Sequence, residues 1–341
     1  MVPEEKRAAV FQGLREAFGT TVIDDTRAIT KGLSTDLVFR IVVRGSPFLL
    51  KIVTRMNEFA DPARTFKCMK AAAGAGIAPR VWYANAEDGV SIIDFVDEKP
   101  FPATQALIQL PRILSKLHAL PAFPKTFNYV TAHNGFIWRF RGAGLAPRAE
   151  IDEVFSRYEQ VCAVYPRLDR DLVPCHMDLK PENILFDGQR VWLVDWMAAF
   201  MNDRYFDLAV AANFLAASDE DESTYLKQYF GQQPDRYQLA RFFLMRQVVH
   251  MFYATVFLML GSAGKPIDRS DTLPSFRDFH QRIWAGEFNL ADDELKIVYG
   301  NVHWEQLVRN TRQTDFDEAL DIVSGPNMAM EDVQLLLPSA P

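Results

Sequence analysis

The amino-acid sequence predicts an α+β chain of two lobes: a small antiparallel β-sheet lobe with one helix, then a larger and mainly helical lobe. Three observations carry this. Apolar and β-branched runs crowd residues 20–96, helical spacing dominates after Val96, and 341 residues suit two domains at roughly 150 residues each. The expected boundaries are 1–96 for the first lobe, 97–325 for the second, and 326–341 for a tail that ends in Pro338-Ser-Ala-Pro341 and is expected to be partly disordered.

In the first lobe, Val10, Phe11, Leu14, Ala17 and Phe18 recur at helical spacing over 5–18. Strands follow at Val22–Thr30, Leu37–Val43 and Phe48–Val53, the last two joined by the turn Arg44-Gly45-Ser46-Pro47. A helix over 57–74 stops at Gly74 and Gly76, with Pro79 beyond. Val81–Tyr83 and Val90–Val96 complete the sheet across the turn Asn85-Ala86-Glu87-Asp88-Gly89. Past a hinge at 96–102, helices are expected at 104–119, 149–164, 205–217, 235–260, 275–285 and 302–311. A hairpin around Asp187-Gly188 interrupts them over Asn183–Trp196. Residues 121–148 show no period and read as a loop, either a site cover or a surface excursion.

Composition narrows the function. Apolar residues at 49% and charged residues at 24% exclude a disordered, collagenous or disulfide-scaffold protein. A net charge of −7 gives no bulk attraction to nucleic acid or anionic membrane. Three cysteines, Cys68, Cys162 and Cys175, read as reduced thiols, and the acidic N-terminus carries no apolar leader, so a cytoplasmic location is expected. The apolar stretch Val248–Leu260 is short for a membrane span and reads as a core helix.

The chemistry concentrates in Cys175-His-Met-Asp178-Leu-Lys180-Pro-Glu-Asn183-Ile-Leu-Phe186. Asp178 and Asn183 lie five residues apart in a loop, and Asp195 ends the apolar strand twelve residues after Asn183. Phosphoryl transfer asks for such a set. The phosphates need a Mg²⁺ ion with hard oxygen ligands, for which Asn183 and Asp195 are candidates. A further group must orient the acceptor hydroxyl and take its proton, for which Asp178 is placed. His176 is expected to brace the loop, and Lys180 either balances phosphoryl charge or is merely solvated.

This block resembles the kinase fold and, within it, the aminoglycoside phosphotransferase and choline kinase-like family. Supporting matches are Val194-Asp195-Trp196, the run Asn202-Asp-Arg-Tyr-Phe-Asp-Leu-Ala209, and Leu114-Ser-Lys-Leu-His-Ala-Leu120. The resemblance covers about residues 25–260, tightly in the second lobe and loosely in the first. It implies a protein-kinase-like fold, ATP and Mg²⁺ as cofactors, and a small-molecule hydroxyl as acceptor; cationic amines are frequent acceptors in the family. The first lobe, 1–96, would bind the nucleotide and the second the acceptor.

The resemblance places a phosphate-covering loop at Gly32, Ser34 and Thr35, and an α- and β-phosphate contact at Lys51. A lysine within so apolar a strand needs anionic partners unless it snorkels. The adenine hinge would be Asp94-Phe95-Val96. The family pairs its lysine with an acid on the following helix, but that position falls near Thr65. Asp61 is the first substitute and Glu58 the second, although Asp61-Pro62 also fits a helix start. His118 and Asp207 are expected to be structural. Asp203, Trp196, Tyr253 and Trp284 are weak candidates for an acceptor site, and Asp219–Glu222 reads as a solvated loop.

Two alternatives stand beside this. The missing acid and the thin glycine loop suit a catalytically silent nucleotide- or partner-binding pseudokinase. A protein kinase is disfavoured by Met177, by Asp195-Trp-Met197 and by the seven residues from Asp195 to Asn202, too few for a peptide-docking segment.

Overall fold

A computed structural model of the chain describes residues 2–29, 36–57, 60–124, 129–166, 171–267, 272–288 and 290–325, with the side chains of 129–133 excepted. Two compact units form: Met1–Thr126 with Val173–Asp207, and Phe127–Leu172 with Leu208–Pro341.

The first unit starts with α1 (Arg7–Phe18), followed by β1 (Asp25–Ile29), β2 (Leu37–Val43), β3 (Ser46–Ile52), α2 (Pro62–Gly74), β4 (Val81–Asn85) and β5 (Val90–Asp94). The strands make one antiparallel sheet in the order β1-β2-β3-β5-β4. Arg44 and Gly45 both have positive φ, 50° and 75°, which gives the two-residue turn that matches strand twist and sets Val43 opposite Ser46. Alternation along β3 then buries Phe48, Leu50 and Ile52 against Val10 and Leu14 of α1. Leu49 and Lys51 are left on the other, half-covered face. Gly13 lets α1 approach β4 this closely, since a Cβ there would lie 2.7 Å from the Tyr83 ring.

After α3 (Ala103–His118) the chain leaves this unit and returns at β6 (Leu172–Cys175), the hairpin β7 (Ile184–Phe186) and β8 (Val191–Leu193), β9 (Phe200–Asp203) and the start of α6 (Arg204–Leu215). β6 pairs with β9, and β7 pairs with β8 in the register Leu185 to Trp192.

The second unit holds α4 (Tyr129–Gly142), α5 (Arg148–Val164), α7 (Asp219–Phe230), α8 (Arg236–Ser262), α9 (Phe276–Trp284), α10 (Asp293–Thr311) and α11 (Thr314–Ser324). By length and composition α8 is apolar enough to cross a membrane, yet Leu244, Val249, Met251, Ala254 and Leu258 are buried in its own unit, as a core helix requires.

Two expectations need correction. The stretch 121–148 contains α4, which anchors itself through Ile137 and Phe140 although its apolar period is weak. The acidic run 219–222 is the first turn of α7, not a loop. Ser218 closes a capping box with Asp221, and four acids there favour the helix dipole.

Three histidines form a buried chain in this unit. His280 Nδ1 donates to Phe276 O at 2.8 Å, so its Nε2 must accept. His303 Nε2 therefore donates to it at 3.2 Å, and His303 Nδ1 accepts from His250 Nδ1 at 3.0 Å. The direction of every proton follows from one carbonyl. Burial pushes all three imidazoles down, His280 to about 3 and the other two well below the ordinary value, with Arg246 adding to the effect.

Candidate active site

All the polar residues of the site described below lie in the first unit. β6 ends at Cys175, and the chain then turns through Met177 with φ 69°, a left-handed conformation unusual for a bulky residue. Asp207, in the first turn of α6, makes this turn possible. Its Oδ2 accepts from His176 N at 2.7 Å and from His118 Nε2 at 3.3 Å, and its Oδ1 from Met177 N at 2.8 Å. Asp207 and His118 are thus structural, as expected. His176 donates from Nε2 to Val194 O at 2.9 Å and stacks at a tilt on Trp196, 4.8 Å between centroids. It braces the loop.

Asp178 follows, about one-third exposed. Its Oδ2 accepts from Lys180 Nζ at 2.9 Å and from Asn183 Nδ2 at 2.8 Å. Asn183 is buried and also donates to Asp178 O, so its Oδ1 takes no part in either bond. Val194 N donates to Asn183 O at 3.0 Å, tying the loop to the strand end that carries Asp195. Asp195 also has a left-handed backbone, φ 62°.

The Asp195 carboxylate accepts from Lys51 Nζ at 2.9 Å. Burial pushes its carboxyl up, but Lys51, Lys180 and His176 outweigh this and hold it below the usual range. Burial likewise lowers the Lys51 ammonium, and Asp195 and Asp36 together raise it above its ordinary value. Lys180 behaves similarly through Asp178 and Asp195. Lys51, Lys180 and Asp195 therefore all stay charged at neutral pH.

The structure does not bring Asp61 to Lys51. Both Asp61 oxygens cap α2, accepting from Ala63 N and Arg64 N. The acid that does meet Lys51 is Asp36, at 3.2 Å, a residue the sequence reading passed over. Thr65 is buried on α2 beside Arg64, whose guanidinium donates to Ala199 O at 2.6 Å and Met197 O at 2.7 Å. The helix thus clamps the segment after Asp195 with a cation, where an acid was expected.

Gly32, Ser34, Thr35 and Glu58 lie outside the described residues. Asp94 ends β5, accepts from Trp82 Nε1 at 2.6 Å and donates its own N–H to Arg80 O; Phe95 and Val96 follow, half-buried, with the Arg40 guanidinium over the Phe95 ring. Of the weak acceptor candidates, Trp196 is buried, and Asp203 is a buried cap that accepts from Tyr205 N. Tyr253 packs among Phe257, Tyr299 and His303 in the second unit, which also holds Trp284.

Among the described residues, His118, Cys175 and Asp207 form one compact set of metal-type side chains. It is filled already. Asp207 takes three N–H donors, and the Cys175 thiol, pushed well up by burial, faces Asn202 O. Asn183 and Asp195 offer the amide and carboxylate oxygens that Mg²⁺ prefers, and they suit it better.

An antiparallel sheet with helix α2 inserted between β3 and β4, a loop bearing Asp178 and Asn183, and a strand-end Asp195 gripped by a sheet lysine define the protein-kinase-like fold. The comparisons agree. A model of the phosphotransferase enzyme family matches residues 25–242, and the chain belongs to that family. A choline/ethanolamine kinase family protein from Mesorhizobium loti is similar over 95% of this chain and 99% of its own, at 20% identity and TM-score 0.64. The choline kinase LicA of Streptococcus pneumoniae covers 84% of this chain and 99% of its own at 16% identity and TM-score 0.55. Protein LicA of Haemophilus influenzae is 30% identical over 117 residues, 32% of this chain and 34% of that protein, so the chain spans about a third of that curated relative.

Proposed function

We propose that the protein is an ATP-dependent phosphotransferase that moves the γ-phosphoryl group to a hydroxyl of a small molecule, an amino alcohol, an aminoglycoside or a related metabolite. The observation that carries this is the convergence on Asp178 of Lys180 and Asn183, with Asp195 held opposite Lys51. In this reading Asp178 aligns the acceptor hydroxyl and receives its proton. Asn183 Oδ1 and Asp195 hold Mg²⁺, which neutralises phosphate charge when bound. Lys51 meets the α- and β-phosphates, and Lys180 the transferred group.

Other parts of the reading belong with it. Gly32, Ser34 and Thr35 cover the phosphates, Asp94-Phe95-Val96 contact the adenine, and residues 1–96 and 97–325 divide nucleotide from acceptor. Solved neighbours include LicA in complex with AMP and a spectinomycin phosphotransferase in complex with ADP and spectinomycin, which supports a nucleotide and a small acceptor. A small acceptor also suits the short path from Asp195 through one 3-10 turn, Trp196–Ala198, straight into β9. We place the protein in the cytoplasm, on its three thiol cysteines.

The test is Mg·ATP turnover over a panel of choline, ethanolamine and aminoglycosides. Asp178→Asn should lower kcat about 10³-fold while Mg·ATP still binds. Full turnover by that variant overturns the assignment.

A further inference from the structure

Lys51 is held by two carboxylates, and they are unequal. Asp195 is one-quarter exposed and is the atom set a divalent cation would take. The Asp36 side chain is only 6% exposed and lies 3.2 Å from Lys51 Nζ. Its place follows from the hairpin. The Arg44–Gly45 turn fixes Val38 opposite Lys51, and directly opposed residues share a face. Asp36, two residues before Val38, is the diagonal neighbour of Lys51 on that face. The backbone N–H of Thr54 donates to Asp36 Oδ1 at 3.3 Å and holds the carboxylate from the far end of the pair. Helix α2 meanwhile supplies no acid: Asp61 is its cap, and the buried position beside Arg64 is Thr65.

We propose that Asp36 is the positioning residue for Lys51, supplied by the sheet in place of an acid on α2. The inference rests on the phosphotransferase reading above. When Asp195 turns to a cation, Lys51 keeps one fixed anionic neighbour and stays extended over the sheet, aimed at phosphate. Without Asp36, the ammonium answers to Asp195 alone and competes with the cation for that carboxylate.

The test reads Lys51 directly. In the nucleotide-free protein, acylation by acetic anhydride at pH 9 is followed by mass spectrometry, with exposed Lys99 as internal reference. Asp36→Asn should make Lys51 react about five times faster, because the amine loses the carboxylate that holds it at 3.2 Å. Asp61→Asn, which keeps the α2 cap, should leave the rate unchanged. By calorimetry, Asp36→Asn should weaken Mg·ATP about tenfold and leave adenosine binding within about twofold. Asp36→Glu, which retains the charge, should recover part of both effects, and a thermal melt confirms folding of each variant. Wild-type rates and affinities in Asp36→Asn overturn the proposal. If the wild-type protein fails to bind Mg·ATP while the acylation shift is present, the functional reading fails and the ion pair stands. Should Asp36→Asn not fold, unchanged acylation in Asp36→Glu and Asp36→Ser overturns it equally.

Discussion

Lowering the pH from 7.5 to 5.0 should remove about 6 kcal/mol of stability through His250, His280 and His303 alone. All three are buried and neutral in the folded protein, and His280 stays so down to about 3. In the unfolded chain each takes a proton near pH 6.5. The folded values lie below the unfolded ones, so below pH 6.5 the unfolded state binds more protons. The contribution is therefore complete above about pH 7 and is lost as the pH falls through 6.5. At pH 5.0 each unfolded histidine gains RT ln(1 + 10^1.5), about 2 kcal/mol. Three together approach the whole stability of an ordinary domain, about 5–15 kcal/mol. Ordinary carboxylates titrate below this window and lysines far above it, so histidines dominate it, and three of the chain's six belong to this buried set.

The assay is urea unfolding followed by circular dichroism at several pH values between 7.5 and 5.0. His250→Phe removes one titrating group and should reduce the stability lost between pH 7.5 and 5.0 by about 2 kcal/mol. His303 accepts one hydrogen bond and donates another, whereas His250 joins the chain by one. At pH 7.5, His303→Phe should thus cost about 1 kcal/mol more than His250→Phe. A protein equally stable at pH 5.0 and 7.5, or an imidazole of this chain titrating near 6.5 by NMR, would refute the reasoning.

Two more outcomes are expected. Arg64→Met should lose about 2–4 kcal/mol by denaturant titration, since two buried carbonyls lose a charged donor; it should also raise the Mg²⁺ concentration needed for half-maximal turnover. Gly13→Ala should destabilise by about 1–3 kcal/mol despite better helix propensity, because the new methyl meets the Tyr83 ring; an unchanged melting temperature would show that α1 shifts freely.

Much of the site was legible because its residues are close in sequence. Asp178, Asn183 and Asp195 sit on one loop and the next strand, so spacing alone brings them together. The lysine's partner was less plain, yet a signal existed. The two-residue turn at Arg44–Gly45 fixes the register, and register points from Lys51 to Asp36. Counting along α2 led instead to Asp61, whose carboxylate serves the helix start. Helix α4 escaped because its inward stripe is thin. The run at 219–222 misled because charge is read as solvation, while at a helix start it is a cap. The histidine chain draws one residue from each of three helices, and no local pattern announces it.

The two left-handed residues explain why the site needs clamps. Met177 and Asp195 each hold a backbone conformation that costs on the order of 1–3 kcal/mol in a non-glycine residue. Glycine would relieve the cost at 195 but would remove the carboxylate, so the strain there is inseparable from the chemistry. At 177 the side chain is buried, with Asn202 Nδ2 against its sulfur. Each strained residue has a buried ionic side chain beside it. Asp207 takes the N–H of Met177, and Arg64 takes the carbonyls of Met197 and Ala199 just beyond Asp195. Hydrogen bonds to charged groups contribute about 1.5–3 kcal/mol each, enough to offset the strain. The acid and the cation that the sequence could not assign to chemistry thus hold the chemical residues where they are.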